Sequence, residues 1–269
     1  MKRPHRERSG GASQSRLVLN LVSLAAGVSL WWLAGVAGLV EPTLLPPPQE
    51  VFHTLARMVG DASLFRHMGI TLGRVLAGFF VAVGIALPIG VAMALSRTVR
   101  DSLEPLVELL RPIPPLAAIP LAILWFGIGE LTKVLLIALA AFFPIVVNTI
   151  AGFSAVHAIH VQAAQSLGAS RWQILWFVVA RAALPDLVVG LRLGLGLSFL
   201  QLVAAELIAS SSGLGWLIWD ARFHFMGDRI LVGMIGIGVL GYGLNRLALA
   251  LERRMVRWQP LGEAVGIGA

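Results

Sequence analysis

Charges inside otherwise apolar stretches are the residues of this chain best placed to do chemistry. Arg74, Arg192 and Glu206 each fall in a run that is otherwise compatible with hydrocarbon. A charge at the bilayer centre costs roughly 2.5–3.5 kcal/mol on insertion scales, so such residues are held for a partner, a path or water. Arg192 starts its run and Arg74 stands within about two turns of the end of its own, and both are expected to snorkel to headgroups. Glu206 follows Arg192 by 14 residues. That is ~21 Å along a helix at 1.5 Å per residue, near the opposite face. There it either lines a gate or is wetted at the interface. Ser198 and Gln201 share this run and either line a path or bond neighbouring helices. Pro120 stands in a proline-rich run (Pro112, Pro114, Pro115, Pro120). Proline removes a backbone donor and kinks helices, and irregular backbone at membrane depth survives only inside protein or beside water. That run is therefore expected to be interior. Ser198, Gln201, Glu206 and Pro120 are the candidate pathway or gate residues.

Enzyme chemistry has little to build on. The chain contains no GxxxxGK[ST], HExxH or GxSxG motif, no cysteine, and only six scattered histidines. No catalytic residue and no metal ligand is assigned, and no cofactor is expected on this chain.

The elements that must position these residues are membrane spans. Of the 269 residues 57% are hydrophobic and 13% charged, with a mean hydropathy of +0.83. A soluble domain carries about 25% charged residues, so the chain is an all-α integral membrane protein. Six runs approach the ~20 residues that cross a bilayer: Leu17–Val40, Gly69–Leu95, Pro112–Gly129, Val134–Gly152, Leu187–Ala205 and Ile230–Leu251. Residues 1–16 read as a disordered basic tail, 17–40 as a retained first helix, 69–251 as the core and 252–269 as a second tail. The net charge of +7 is no sign of nucleic acid. Lys and Arg concentrate in the tails and in the segments that share a side with them, which by the positive-inside rule places both termini in the cytoplasm. Gly69/Gly73 and Gly190/Gly194 have the spacing of close helix packing.

One water-compatible stretch, His160–Pro185, interrupts the apolar pattern on the cytoplasmic side. Gly168 can end a helix in the left-handed conformation that glycine adopts most cheaply. Ser170 with Gln173 three residues on satisfies a capping box for the next helix. Trp172, Leu175, Trp176 and Val179 follow at helical spacing. Two short helices are predicted, the second amphipathic at the interface and the first projecting to a soluble partner.

This hairpin resembles the cytoplasmic EAA loop of binding-protein-dependent ABC transporter permeases. Gln162, Ala163 and Ala164 stand at the EAA positions, Gly168 falls at the required spacing, and Val178 takes the later hydrophobic position. Gln162 replaces the acidic residue, and Ala180-Arg181 stand where Leu-Pro is expected, although Leu184-Pro185 follows. Further blocks resemble the aliphatic-sulfonate, taurine and nitrate branch: Leu44–Pro48, Leu110–Leu116, Ile119–Gly129, Val189–Arg192, Ala205-Glu206, Ser212–Gly215 and Leu251–Arg254.

The resemblance implies a type I ABC importer permease fold in the inner membrane. It implies a second permease copy, a pair of ATPase subunits that hold the ATP, and a periplasmic or lipid-anchored substrate-binding protein. ATPase coupling would fall to Gln162, Ala163, Ala164, Leu167, Gly168 and Ala169, and Pro88, Pro120 and Pro144 would break or bend core helices. Aliphatic sulfonates are the expected substrate, with nitrate, taurine or another small solute as alternatives. An ion-coupled transporter would instead show paired intramembrane carboxylates or an internal repeat, and neither is legible.

Overall fold

The computed structural model describes the backbone of residues 9–38, 41 and 45–256, and the side chains of 22, 23, 25–38, 41, 45–208 and 210–256. Among these residues all regular structure is helical. The chain runs through α1 (Ser9–Val36), α2 (Pro48–Gly60), α3 (Ser63–Leu95) and α4 (Arg97–Leu110). A 3-10 turn (Pro115–Ala118) leads into α5 (Ile119–Phe126), α6 (Glu130–Ser154), α7 (Ala158–Ser166) and α8 (Arg171–Gln173). A π-helical segment (Ile174–Val179) joins α8 to α9 (Ala180–Ala209), and α10 (Leu214–Phe223) and α11 (Gly227–Met255) follow.

Four helices are long and apolar enough to cross a membrane: α3, α6, the continuous Arg171–Ile208, and α11. They carry the second, fourth, fifth and sixth expected spans. The third expected span, Pro112–Gly129, is not one helix. α4 and the Pro115–Phe126 segment form a pair bent by 86°, which brings the number of spans to five if the pair counts as one. Pro112, Pro114 and Pro115 explain the break, because successive residues here lack the amide donor that a continuing helix needs. Nor is this region interior to the chain: α4 buries no residue, and Leu124, Trp125 and Pro120 are exposed. The first expected span falls on α1, whose described apolar part, Ala25–Val36, is shorter than the ~20 residues a crossing needs. Residues 39–40 lie outside the described set. Of the expected N-terminal tail, residues 9–16 are helical and 1–8 lie outside the described set; of the C-terminal tail, α11 runs to Met255 and 257–269 lie outside it.

The core is built where small residues let backbones approach. Gly78, Ala82, Ala86 and Gly90 recur every four residues on α3 and lie against α6. A Cβ at Gly78 would stand 2.5 Å from the Ile137 side chain, and one at Gly90 would stand 2.7 Å from Thr149. Residue numbers rise together along both helices, so α3 and α6 run parallel. α9 opposes α6: Gly190 meets Asn148 and Gly194 meets Ile145. Gly190/Gly194 thus pack as their spacing predicts, whereas Gly69 and Gly73 have nothing within reach of an added Cβ. α11 runs antiparallel to α9, since Arg192 near the start of α9 pairs with Glu252 near the end of α11.

These directions define two ends of the bundle. One collects the starts of α3, α6 and α11 with the end of α9. The other collects the ends of α3, α6 and α11 with the segment from α7 to the start of α9. α3, at 33 residues, is ~50 Å long at 1.5 Å per residue. That exceeds the ~30 Å hydrocarbon core, so it emerges at both ends.

Candidate functional site

Two polar constructions stand out, one at each end. At the first end Arg74, on α3, is the hub. Its guanidinium forks onto Glu130 at the start of α6, with Nε donating to Oε2 and Nη2 to Oε1, both at 2.6 Å. Nη1 donates to Glu206 Oε1 at the end of α9 (2.7 Å) and to the Ser212 carbonyl (2.7 Å), and Nη2 donates to Ser212 Oγ (3.1 Å). Lys133 Nζ donates to Glu130 Oε1 at 2.9 Å. Glu206 also accepts from Thr71 Oγ1 (3.1 Å) and from the Gly215 amide (2.9 Å), while Thr71 Oγ1 accepts from the Leu214 amide (2.9 Å). Two cations therefore face two carboxylates. Arg74, Lys133 and Glu206 are buried, and Glu130 is 62% exposed.

Sequence alone misreads this cluster. Arg74 does not snorkel; its bidentate fork, the geometry for which guanidinium is suited, is locked inside the protein. Glu206 is not wetted but buried, bonded by Arg74, Thr71 and the Gly215 amide. Glu130 and Lys133 were not singled out at all. A signal existed: Arg74 and Glu206 have opposite sign and the same expected depth, and a buried charge calls for such a partner. The loop glycines are the other requirement. Gly213 has φ +110, and a Cβ there would collide with the Glu206 carboxylate.

Ser198 and Gln201 lie on the same helix as Glu206 and are buried. Ser198 is the next step along the Gly190/Gly194 stripe, so the tight face of α9 includes it. Ser198 Oγ and Gln201 Nε2 have no hydrogen-bond partner among the described residues. Pro120 opens α5, and its neighbour Ile119 packs with Ala205, next to Glu206. The Pro120 turn therefore abuts the charged cluster without joining it. Pro88 and Pro144 sit inside unbroken helices. Arg192 Nη1 donates to Glu252 Oε2 at 2.9 Å and ties α9 to α11.

The second construction is the hairpin at the other end. α7 carries Gln162, Ala163 and Ala164 and buries nothing; Leu167, which follows it, is 88% exposed. Gly168 has φ +78. The amide of Gly168 donates to the Gln165 carbonyl (2.9 Å) and that of Ala169 to the Ala164 carbonyl (3.0 Å), which is the Schellman closure that satisfies the last carbonyls of a helix. Ser170 Oγ then accepts from the Gln173 amide (3.3 Å), and Gln173 Oε1 accepts from the Ser170 amide (2.8 Å). The turn is thus fixed by backbone and cap bonds, leaving α7 free for another molecule. The second helix differs from expectation. It is not a separate short amphipathic element but the start of the 38-residue helix Arg171–Ile208, entered through the π-helical segment. α7 therefore leads, through the Gly168 turn, into the helix that carries Arg192 and Glu206.

Comparison with known proteins follows the same lines. Residues 84–257 match the family described as "Binding-protein-dependent transport system inner membrane component". The chain is 43% identical over 248 residues to the taurine transport system permease protein TauC of Escherichia coli (strain K12), covering 90% of each. It is 36% identical to the putative aliphatic sulfonates transport permease protein SsuC of Bacillus subtilis (strain 168), covering 96% of this chain and 91% of that one. Among solved structures, a chain of the MetNI methionine ABC transporter in an inward-facing form superposes with a TM-score of 0.62. The sequence identity is 19%, with 72% of this chain and 96% of that chain covered. That likeness identifies the fold.

Proposed function

Because this chain belongs to the family of inner membrane components of binding-protein-dependent transport systems, we propose that it carries small organic sulfonates, taurine foremost, across the cytoplasmic membrane. Within this reading, ATP is hydrolysed on a pair of separate ATPase subunits, a second copy of the chain completes the permease, and a binding protein delivers the solute. The end that bears Arg74 faces outward. The hairpin end and both termini face the cytoplasm, in keeping with the distribution of Lys and Arg.

The observation that carries the reading is the hairpin. An exposed nine-residue helix, Ala158–Ser166, is held by its own turn and capping bonds and is continuous with a spanning helix. Gln162, Ala163, Ala164, Leu167, Gly168 and Ala169 dock on the ATPase, and nucleotide-driven closure pulls α7. The 38-residue helix carries that movement through the bilayer to Glu206 at the opposite end. The Arg74–Glu206–Glu130 cluster ties α3, α6, α9 and the Ser212 loop together and sets how far the outer ends separate in each state. Ser198 and Gln201 lie on the helix that moves, and the Pro120 turn sits beside its end. The substrate assignment is supported by the 43% identity to a taurine permease protein.

The test is uptake of labelled taurine, ethanesulfonate and nitrate in a strain lacking the gene, with and without collapse of cellular ATP. Loss of ATP-dependent uptake of a sulfonate, restored by the gene, is the expected result. Unchanged uptake of all three overturns the substrate assignment.

A further inference from the structure

A second polar cavity lies at the outer end, separate from the Arg74 cluster. It occupies about 280 Å³ between α2, the first turns of α3, α10 and the start of α11. Arg57, Arg66 and Arg229 line it together with two carboxylates, Asp61 and Asp220. Arg57 Nη2 donates to Thr54 Oγ1 at 3.0 Å, whereas Arg66 and Arg229 make no hydrogen bond or salt bridge among the described residues. Asp61 accepts from the Ser63 amide at 2.9 Å. Hydrogen bonding from the Ser63 side chain and then from its amide, reinforced by the fields of Arg57 and Arg229, holds its carboxyl below the ordinary range and keeps it ionised.

The inner wall is more specific than the rim. His67 is 4% exposed, and its ring stacks on Trp216 with centroids 5.6 Å apart. The Gly213 amide donates to Nδ1 at 3.2 Å. Nδ1 therefore carries no proton, and the ring presents Nε2–H as a donor with no protein partner. Guanidinium groups suit oxyanions because their N–H groups fork onto two oxygens. The two carboxylates in the lining, Asp61 and Asp220, would repel a simple anion but favour an ammonium. Pockets of ~300 Å³ and more hold drug-sized ligands, so this one suits a solute of only a few heavy atoms.

We infer that this cavity binds a small zwitterion, an aminoalkanesulfonate, with its sulfonate toward Arg66, Arg229 and His67 and its ammonium toward Asp61 and Asp220. It is an entrance site that holds the solute on the permease itself. The choice of sulfonate over other strong-acid anions rests on the proposed transport function.

The experiment is equilibrium binding of labelled taurine to the full chain with its ATPase in nanodiscs, without binding protein. Ethanesulfonate and sulfate serve as competitors. The wild-type chain should show saturable binding, with ethanesulfonate and sulfate at least tenfold weaker. Arg229→Gln and Arg66→Gln should each weaken taurine binding tenfold or more. Arg66 is exposed, so its variant folds even if the half-buried Arg229 variant does not. Asp220→Asn should narrow the preference for taurine over ethanesulfonate.

Absence of saturable binding to the wild type, or binding indifferent to both arginine variants, overturns the inference. Equal competition by ethanesulfonate overturns the zwitterion assignment. If Arg229→Gln weakens docking of the binding protein while the wild type binds no taurine, the cavity receives a protein side chain, and the inference fails in that way. Cellular uptake separates the two readings: ATP-dependent taurine uptake without binding here refutes the cavity alone. Binding here without uptake refutes the transport function alone.

Discussion

Replacing Arg74 with methionine removes five hydrogen bonds at once: two to Glu130, one to Glu206 and two to Ser212. The consequences differ between the two carboxylates. Glu130 is 62% exposed and keeps Lys133 at 2.9 Å, so water and the lysine compensate for most of its loss. Glu206 is fully buried and keeps only Thr71 and the Gly215 amide, with no opposing charge. Stranding one partner of a buried pair costs about 3–5 kcal/mol. Soluble domains of 150–250 residues lose roughly 2–4 °C of melting temperature per kcal/mol, so Arg74→Met should lower the unfolding midpoint by ~6–20 °C on that scale. Glu206→Gln should cost less, about 1.5–3 kcal/mol for lost charge-assisted bonds, because Arg74 retains Glu130. The double variant neutralises both ends of the pair and should be more stable than Arg74→Met alone. The assay is thermal unfolding of the purified chain in detergent, followed by the monodisperse fraction on size exclusion. A shift below ~2 °C for Arg74→Met, or a double variant no better than the single, would refute the idea that a compensated buried charge organises the outer end.

Four further outcomes follow from the geometry. Gly168→Val should leave ATP hydrolysis by the assembled transporter running while taurine uptake falls at least tenfold, because left-handed backbone costs an L-residue about 1–2 kcal/mol and φ there is +78; paired hydrolysis and uptake assays check it. Gln162→Glu should be tolerated in assembly, read by co-purification of the ATPase, since Gln162 lies on a helix that buries nothing. Gly213→Ala combines about 1–3 kcal/mol of backbone strain with a Cβ that collides with the Glu206 carboxylate, so its unfolding midpoint should fall nearly as far as that of Arg74→Met. Gly190→Val should destabilise by at least the ~1–3 kcal/mol of ordinary overpacking, because even its Cβ meets Asn148 at 2.6 Å; Gly69→Ala, open on all sides, should be neutral or gain up to ~1 kcal/mol in helix propensity, and parallel thermal scans compare the two.

The pair Gly190 and Gly69 illustrates what sequence can and cannot convey. Identical spacing marks a helix face fit for close packing, but only the fold decides whether a neighbour is present. Hydropathy located α3, α6, α9 and α11 because a bilayer demands long apolar helices. It placed a span at Pro112–Gly129 and left α4 out, because composition does not report that the Pro115–Phe126 segment pairs with α4 across an 86° bend. The hairpin was legible in detail, since Gly168, Ser170 and Gln173 act through local backbone bonds that depend on sequence neighbours alone. The Arg74 cluster was not, because its bonded partners lie as far as 143 residues apart. Judged singly, Arg74 looked like a snorkelling residue and Glu206 like either a gate or a wetted carboxylate; together with Glu130 and Lys133 they form a neutral set. The stripe Gly78, Ala82, Ala86, Gly90 was visible in the chain, yet half of it is alanine, and a search for glycine pairs passes over it.

The central claim is that ATP hydrolysis elsewhere moves a sulfonate through this chain by way of α7. It is tested most directly in liposomes that hold the chain with its ATPase, supplied with the binding protein and labelled taurine. Accumulation that requires hydrolysable ATP, and that disappears in Gly168→Val while hydrolysis persists, is the predicted result. Taurine accumulation without ATP, or coupled accumulation undiminished in Gly168→Val, would contradict it.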